Sequence, residues 1–355
     1  MFENKQKYLF RINHRIGISF GISVMLLIFV SLFSLGIGSV SVPLKNTLYI
    51  FASQIPFIGN AVHLSVPLSQ YRIITSLREP QIIGGILVGS TLGIGGAVVQ
   101  SIFRNPITEP YIIGISSGAA LGAVLTISLS LTFFGFYTMQ LNAFIFSMAI
   151  VGIVYIISYR HGKVPPTYLL LIGISLSFFA SSIVSFLIYT NINLEGTEYF
   201  WLLGSLQTIT WDEISLLFMI TSITSILIFL QRRELDALQM GEAHAHSIGV
   251  NVERSKAILI ALVVLSTSAA VSITGLIGFV GLIMPHVSRL VYGGSNRYVI
   301  PSSAIFGSIF LIVANDISKV VISQETIPIG IVTGIIGVPF FIYLLNRLAK
   351  GSYVD

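Results

Sequence analysis

Apolar runs of about twenty residues recur along the chain, and short polar segments separate them. A helix rises 1.5 Å per residue, so roughly 20 apolar residues cross the ~30 Å hydrocarbon core of a bilayer. The pattern predicts spans near Ile16–Ile37, Ile82–Ile102, Tyr111–Leu131, Met139–Ser158 and Tyr168–Ile188. A second set is predicted near Ile214–Leu230, Lys256–Thr274, Phe279–Val291, Val299–Ile317 and Gly330–Leu348. Phe279–Val291 is too short to cross alone and needs help from the turn at Gly275–Gly278 before it. The fold class read from this pattern is all-α polytopic membrane protein, with about ten transmembrane helices. One transmembrane domain covers 16–348, after a cytoplasmic segment 1–15 and before a cytoplasmic tail 349–355.

The segments between spans differ in character. Tyr189–Glu213, like Ser39–Gln81, is long and external, and its Trp201 and Trp211 are expected to anchor at the headgroup level. The largest cytoplasmic loop, 231–255, places Leu235, Ala237, Leu238, Met240, Ala243, Ala245 and Ile248 among charges and ends at Gly249. That spacing suits a short amphipathic helix pair with a glycine cap, lying outside the bilayer. On periodicity alone, a docking surface and a solvated connector are equally compatible with it. Glycines every fourth position, Gly85/Gly89/Gly93, Gly114/Gly118/Gly122 and Gly330/Gly334, predict close helix packing and are compatible with a dimer.

Composition narrows the class. Hydrophobic residues make up 54% of the chain, charged residues 9%, and mean hydropathy is +0.90. A soluble domain carries about 25% charged residues. The net charge of +5 belongs to topology rather than to nucleic acid: fifteen of the 19 Lys and Arg residues fall on one side of the predicted layout. Positive-inside bias makes that side cytoplasmic and places both termini there, in a multi-pass cell membrane protein. The first apolar run exceeds the roughly 7–15 residues of a cleaved leader, so it is read as a retained span. With no cysteine in the chain, disulfides and thiolate sites are excluded.

Candidate chemistry is sparse. No G-x-x-x-x-G-K-[ST] phosphate loop and no H-E-x-x-H pair occurs. His244 and His246 fall on different faces of any helix, and His286 follows Pro285 near a helix boundary, so no catalytic, cofactor or metal site is expected. Asp316 and Lys319 are spaced for a local ion pair. Few carboxylates fall inside spans, which weakens a proton-coupled transporter. What remains is a passive conduit, or a permease driven by another subunit.

Four segments carry a resemblance. They are Gly89–Gly118 with Gln100, Arg104-Asn105-Pro106, Glu109-Pro110 and Gly114–Ala120; Leu169–Ile174 followed by Trp201–Ser205; Met240–Val250; and Gly275–Arg289, continuing to Ile327–Gly330 and Gly337–Phe341. In order and spacing, from about residue 72 onward, they resemble the permeases of ATP-driven importers for iron–siderophores, haem and vitamin B12, the FecCD type. The resemblance implies the type II importer permease fold and a homodimer, or a pair with a paralogous permease, in membrane lipid. It also implies two ATPase subunits below and a substrate-binding protein above. ATP hydrolysis would then lie in the partner, and the cargo would be a metal chelate, most often a ferric siderophore, with vitamin B12 or haem as alternatives. A secondary transporter or channel is the reading from another class.

The resemblance also assigns residues. Met240, Gly241, Glu242, Ala243, His244, Ala245, Ser247 and Gly249 match the loop that contacts the ATPase. Asn105 and Ile107, with Pro166 and Thr167, match the cytoplasmic gate, although Pro165-Pro166 stands where small hydroxyl residues are usual. Arg78 matches an arginine that receives the binding protein, with Arg72 and Lys319 as further docking candidates. Here Arg78-Glu79-Pro80-Gln81 has lost the second arginine of the Arg-x-Pro-Arg pattern. The pathway wall is expected to be apolar and small.

Overall fold

In the computed structural model, which describes residues 2–54, 66–191, 195–322 and 325–351, the described chain is a bundle of helices. In order these are α1 (Phe2–Ser34), α2 (Leu44–Gln54) and α3 (Leu68–Arg72), which runs through a π-helical turn, Ile73–Arg78, into α4 (Glu79–Phe103). A 3-10 turn, Pro110–Ile113, leads into α5 (Ile115–Ser128), then α6 (Thr138–Ser158), α7 (Pro166–Thr190) and α8 (Glu195–Leu202). The remainder is α9 (Trp211–Leu230), α10 (Arg232–Met240), α11 (Glu242–Ser247), α12 (Val252–Thr274), α13 (Val280–Tyr292), α14 (Asn296–Val320) and α15 (Ile329–Gly351).

Seven helical stretches of the described chain are long and apolar enough to cross a membrane, and α5 and the Ile329–Tyr343 part of α15 are shorter apolar stretches. With α13 these make ten segments, each overlapping one predicted span. Residues 2–15, expected as a separate segment, are helical and continuous with α1. Residues 352–355 of the expected tail lie outside the described residues.

The bundle is organised around α4, which is buried almost throughout. Glycine makes this possible: a Cβ on Gly89 would come 2.4 Å from the carbonyl oxygen of Gly307 on α14, and one on Gly307 would come 2.1 Å from that of Gly89. Backbones that approach so closely gain dispersion contacts that larger side chains would prevent. Gly118 and Gly122 hold α5 against α6 in the same way.

The shortness of α13 has a physical reason. Its first turn lies against the middle of α4, with Gly281 against Gly96 and the carbonyl of Leu92. The helix therefore begins inside the bundle, and the loop Gly275–Phe279 completes the crossing. Gln100 Nε2 donates to the carbonyls of Leu282 (3.0 Å) and Gly281 (3.3 Å), and its Oε1 accepts from Arg289. Tyr111 Oη donates to the carbonyl of Ile277 at 3.0 Å. Irregular backbone at membrane depth is thus satisfied by protein.

Trp201 is half-buried and packs against the core clusters. Trp211 is exposed, and its Nε1 donates to the carbonyl of Thr75 at 2.9 Å. One expectation needs correction: the Asp316–Lys319 ion pair is not formed. Asp316 accepts from Ser34 Oγ at 2.6 Å, and Lys319 Nζ has no hydrogen-bond partner among the described residues.

Candidate functional site

The loop 231–255 is a structured platform. Gly241, at φ +118°, breaks the chain between α10 and α11, a backbone conformation open to glycine. Leu235, Ala237, Leu238 and Ala245 face inward and are buried. Met240, Ala243, His244, Ser247, Ile248 and Gly249 are exposed, and Glu242 is half-buried. The apolar Met240 and Ile248, 72% and 58% exposed, form an outward surface that nothing in this chain covers among the described residues.

Two charged contacts tie this platform to the bundle. Asp236 of α10 accepts from the backbone N–H of Asn296 at 2.7 Å, from its Nδ2 at 3.0 Å, and from Ser295 Oγ at 3.3 Å. It thereby satisfies donors at the start of α14, which has no side-chain cap of its own. Lys256 of α12 is buried, with Nζ 3.0 Å from Glu242 Oε1, 2.7 Å from Glu253 Oε1 and 2.9 Å from the carbonyl of Val164. One ammonium thus joins α11, α12 and the segment that enters α7.

The expected gate residues sit at the two chain reversals nearest this platform. Asn105 is half-buried and its side-chain oxygen accepts from the N–H of Ile107 at 3.1 Å, while Ile107 is exposed. Arg104 before it adopts φ +50°, and its guanidinium lies against Gly241. Pro166 is the first residue of α7 and Thr167 is exposed. Proline at a helix start costs no hydrogen bond and presets φ, so Pro165-Pro166 gives α7 a stiff entry.

On the far half of α7 lies a groove of about 510 Å³ between α5, α7 and α8, with Leu276 also in its wall. Ser177, Ser181 and Ser185, spaced by four along α7, line it with Ser116 and Ser117 of α5 and with Tyr189 and Tyr199. Ser117 Oγ donates to Ser177 Oγ at 3.1 Å. Among the described residues no charged side chain lines this groove.

The FecCD transport family matches residues 26–347. The chain belongs to the FecCD transport family. The cobalamin import system permease protein of Halobacterium salinarum is 38% identical over 286 residues, 80% of this chain and 76% of that protein. The hemin transport system permease protein of Yersinia pestis is 33% identical, covering 79% of this chain and 84% of its own. A solved inward-facing structure of a putative metal-chelate type ABC transporter superposes with a TM-score of 0.80 at 30% identity, covering 93% of this chain and 99% of that one.

The molecule is thus an integral membrane permease of the ABC importer class, and permeases of this kind are not themselves enzymes. In this FecCD permease the three docking candidates separate. Arg72 is exposed, whereas Arg78 is buried and donates to the carbonyls of Leu35 (2.7 Å) and Val40. Lys319 is buried beside Arg78 around a small cavity that Gln81 and Gln207 also line. The Lys256 junction, the Asp236 cap and the serine stripe were not assigned from sequence. The stripe was visible as a hydroxyl every fourth residue in an apolar run, and Lys256 as a cation inside the start of a span.

Proposed function

We propose that this FecCD permease is the translocation subunit of an ATP-driven importer whose cargo is an uncharged metal chelate, a ferric siderophore. It works as a homodimer, with two ATPase subunits on the cytoplasmic platform and a substrate-binding protein on the outer face. The hydroxyl-lined, charge-free groove supports the cargo reading. A neutral polar chelate exchanges hydrogen bonds with water for hydroxyls without a deep binding well, whereas burying unpaired carboxylates such as those of haem is costly. The groove is open on one side, and α7 and α15 present exposed Phe178, Phe179, Phe186, Ile335 and Tyr343. A second copy would cover these faces and close the pathway. A cobalamin cargo is the second reading, favoured by the 38% identical relative, because cobalamin import is what that protein is named for.

The test is uptake into proteoliposomes that hold the permease, its ATPase and its binding protein. Ferric siderophore accumulation that requires ATP hydrolysis is expected. Uptake persisting without ATP would reject the importer reading, and a preference for haem would reject the uncharged cargo.

A further inference from the structure

A second, larger hollow lies away from the groove and the platform. It is a cleft of about 650 Å³ between α6 and α9, with Ala269, Ser272 and Ile273 of α12 as its floor. Leu141, Phe144, Leu216, Leu217 and Ile220 line its depth. At its mouth stand Tyr137 and Asp212, with Tyr137 Oη 3.5 Å from the Asp212 carboxylate. Just inside, Gln140 Nε2 donates to Glu213 Oε1 at 3.3 Å, and Glu213 is otherwise used as the helix cap, accepting from Thr210 N–H at 2.8 Å. Tyr137 and the neighbouring Trp211 are exposed here, and Tyr and Trp are the amphipathic rings that mark the headgroup region. From Asp212 to Ile220 the cleft descends eight helical residues, about 12 Å into the hydrocarbon zone.

We infer that this cleft binds one phospholipid of the outer leaflet, with an acyl chain inside and an ammonium-bearing headgroup, such as ethanolamine, at Asp212. Water in the apolar depth would lack hydrogen-bond partners, and an empty cleft would forfeit dispersion contacts along its length. Lipid hydrocarbon is the solvent that surrounds this face, and one chain restores those contacts. The exposed carboxylate of Asp212 selects the headgroup: an ammonium is attracted there, and a purely anionic headgroup is repelled. The site is independent of cargo and of ATPase docking, since it shares no residue with either.

The experiment reconstitutes the full-length permease in nanodiscs of equal phosphatidylethanolamine and phosphatidylglycerol, moves it into detergent, and counts retained lipids by native mass spectrometry. One phosphatidylethanolamine per subunit is expected, favoured roughly fivefold over phosphatidylglycerol. Asp212→Asn, at an exposed position, should bring that ratio near one while leaving a lipid bound. Ala269→Phe, filling the floor, should remove the retained lipid. Retention of detergent alone, equal retention of both lipids by the unaltered protein, or lipid retention untouched by both substitutions would overturn the assignment.

Discussion

Lys256 Nζ lies 2.9 Å from the carbonyl oxygen of Val164, and the N–H of the same Val164 donates to Glu253 Oε2, also at 2.9 Å. Both polar groups of one residue are therefore held by side chains near the start of α12. Val164 directly precedes Pro165-Pro166, whose ring-fixed dihedrals carry its orientation into α7. Through Glu242, the same ammonium is bonded to α11 of the exposed platform. A displacement of the platform thus has a short, stiff route to the helix that bears the serine stripe.

Replacing Lys256 by Met should break that route and leave Glu253 and Glu242 without their cation. Losing one partner of a fully buried pair costs about 3–5 kcal/mol, and the cost here is smaller because the carboxylates left behind are partly exposed to solvent. Thermal unfolding in detergent should register the loss, and Lys256→Met/Glu253→Gln should regain part of it. In proteoliposomes, ATP hydrolysis by the assembled complex should continue while uptake falls. If uptake and hydrolysis fell together in the refolded double variant, the junction would be a structural tie only.

Asp236→Ala removes the acceptor that caps α14 from α10. Lost caps cost about 0.5–2 kcal/mol, and Asp236→Asn, which retains one acceptor oxygen, should cost less. Melting midpoints of the three proteins should therefore fall in the order wild type, Asn, Ala. An Ala variant as stable as wild type would mean that Asn296 finds other partners.

The helices were legible in the sequence because membrane depth imposes a length and an apolar composition on each crossing. Even the short α13 was found, although its reason, a start against Gly96 at mid-bundle, depends on a close approach between distant segments. The platform was visible as an amphipathic pattern, but not its break at Gly241. What sequence could not give was pairing: Lys256 read as a topology charge, and only the fold sets it beside Val164 and Glu242. Arg78 read as an outward arginine, yet the chain after α1 wraps back so that its guanidinium holds the carbonyls of Leu35 and Val40. The fold also brings the carboxylate of Glu109 to the N–H of Phe279 before α13, a pairing across 170 residues of chain that spacing does not reveal.

The groove makes a prediction about charge. Ser181→Ala should change siderophore uptake less than about twofold, since one hydroxyl among several is lost and its weak bond is replaced by water. Ser181→Asp places a carboxylate in the wall and should lower uptake about tenfold through the cost of desolvating it. Full uptake by Ser181→Asp at normal expression would remove the groove from the pathway.

Close packing makes a second contrast. A Cβ on Gly89 meets backbone at 2.4 Å, whereas one on Gly334 meets nothing within 4 Å. Gly89→Ala should destabilise the bundle by about 1–3 kcal/mol or more, the range for overpacking against atoms that cannot move. Gly334→Ala should leave the melting midpoint of the subunit unchanged. Comparable losses at both positions would show that helix propensity or a partner contact, rather than the α4–α14 approach, sets the tolerance.

The chain has no cysteine, so single cysteines report topology without a background. His244 and Ser247 lie on the exposed face of the platform, and Arg72 is exposed at the opposite end of the layout. In right-side-out cells, a membrane-impermeant maleimide should label Arg72→Cys and spare His244→Cys and Ser247→Cys. Inverted vesicles should reverse the pattern if the charge bias read from the sequence sets the platform on the cytoplasmic side. Adding the partner ATPase should then protect His244→Cys and Ser247→Cys in those vesicles. Labelling of the platform from outside the cell would invert the orientation and remove the surface proposed for the ATPase.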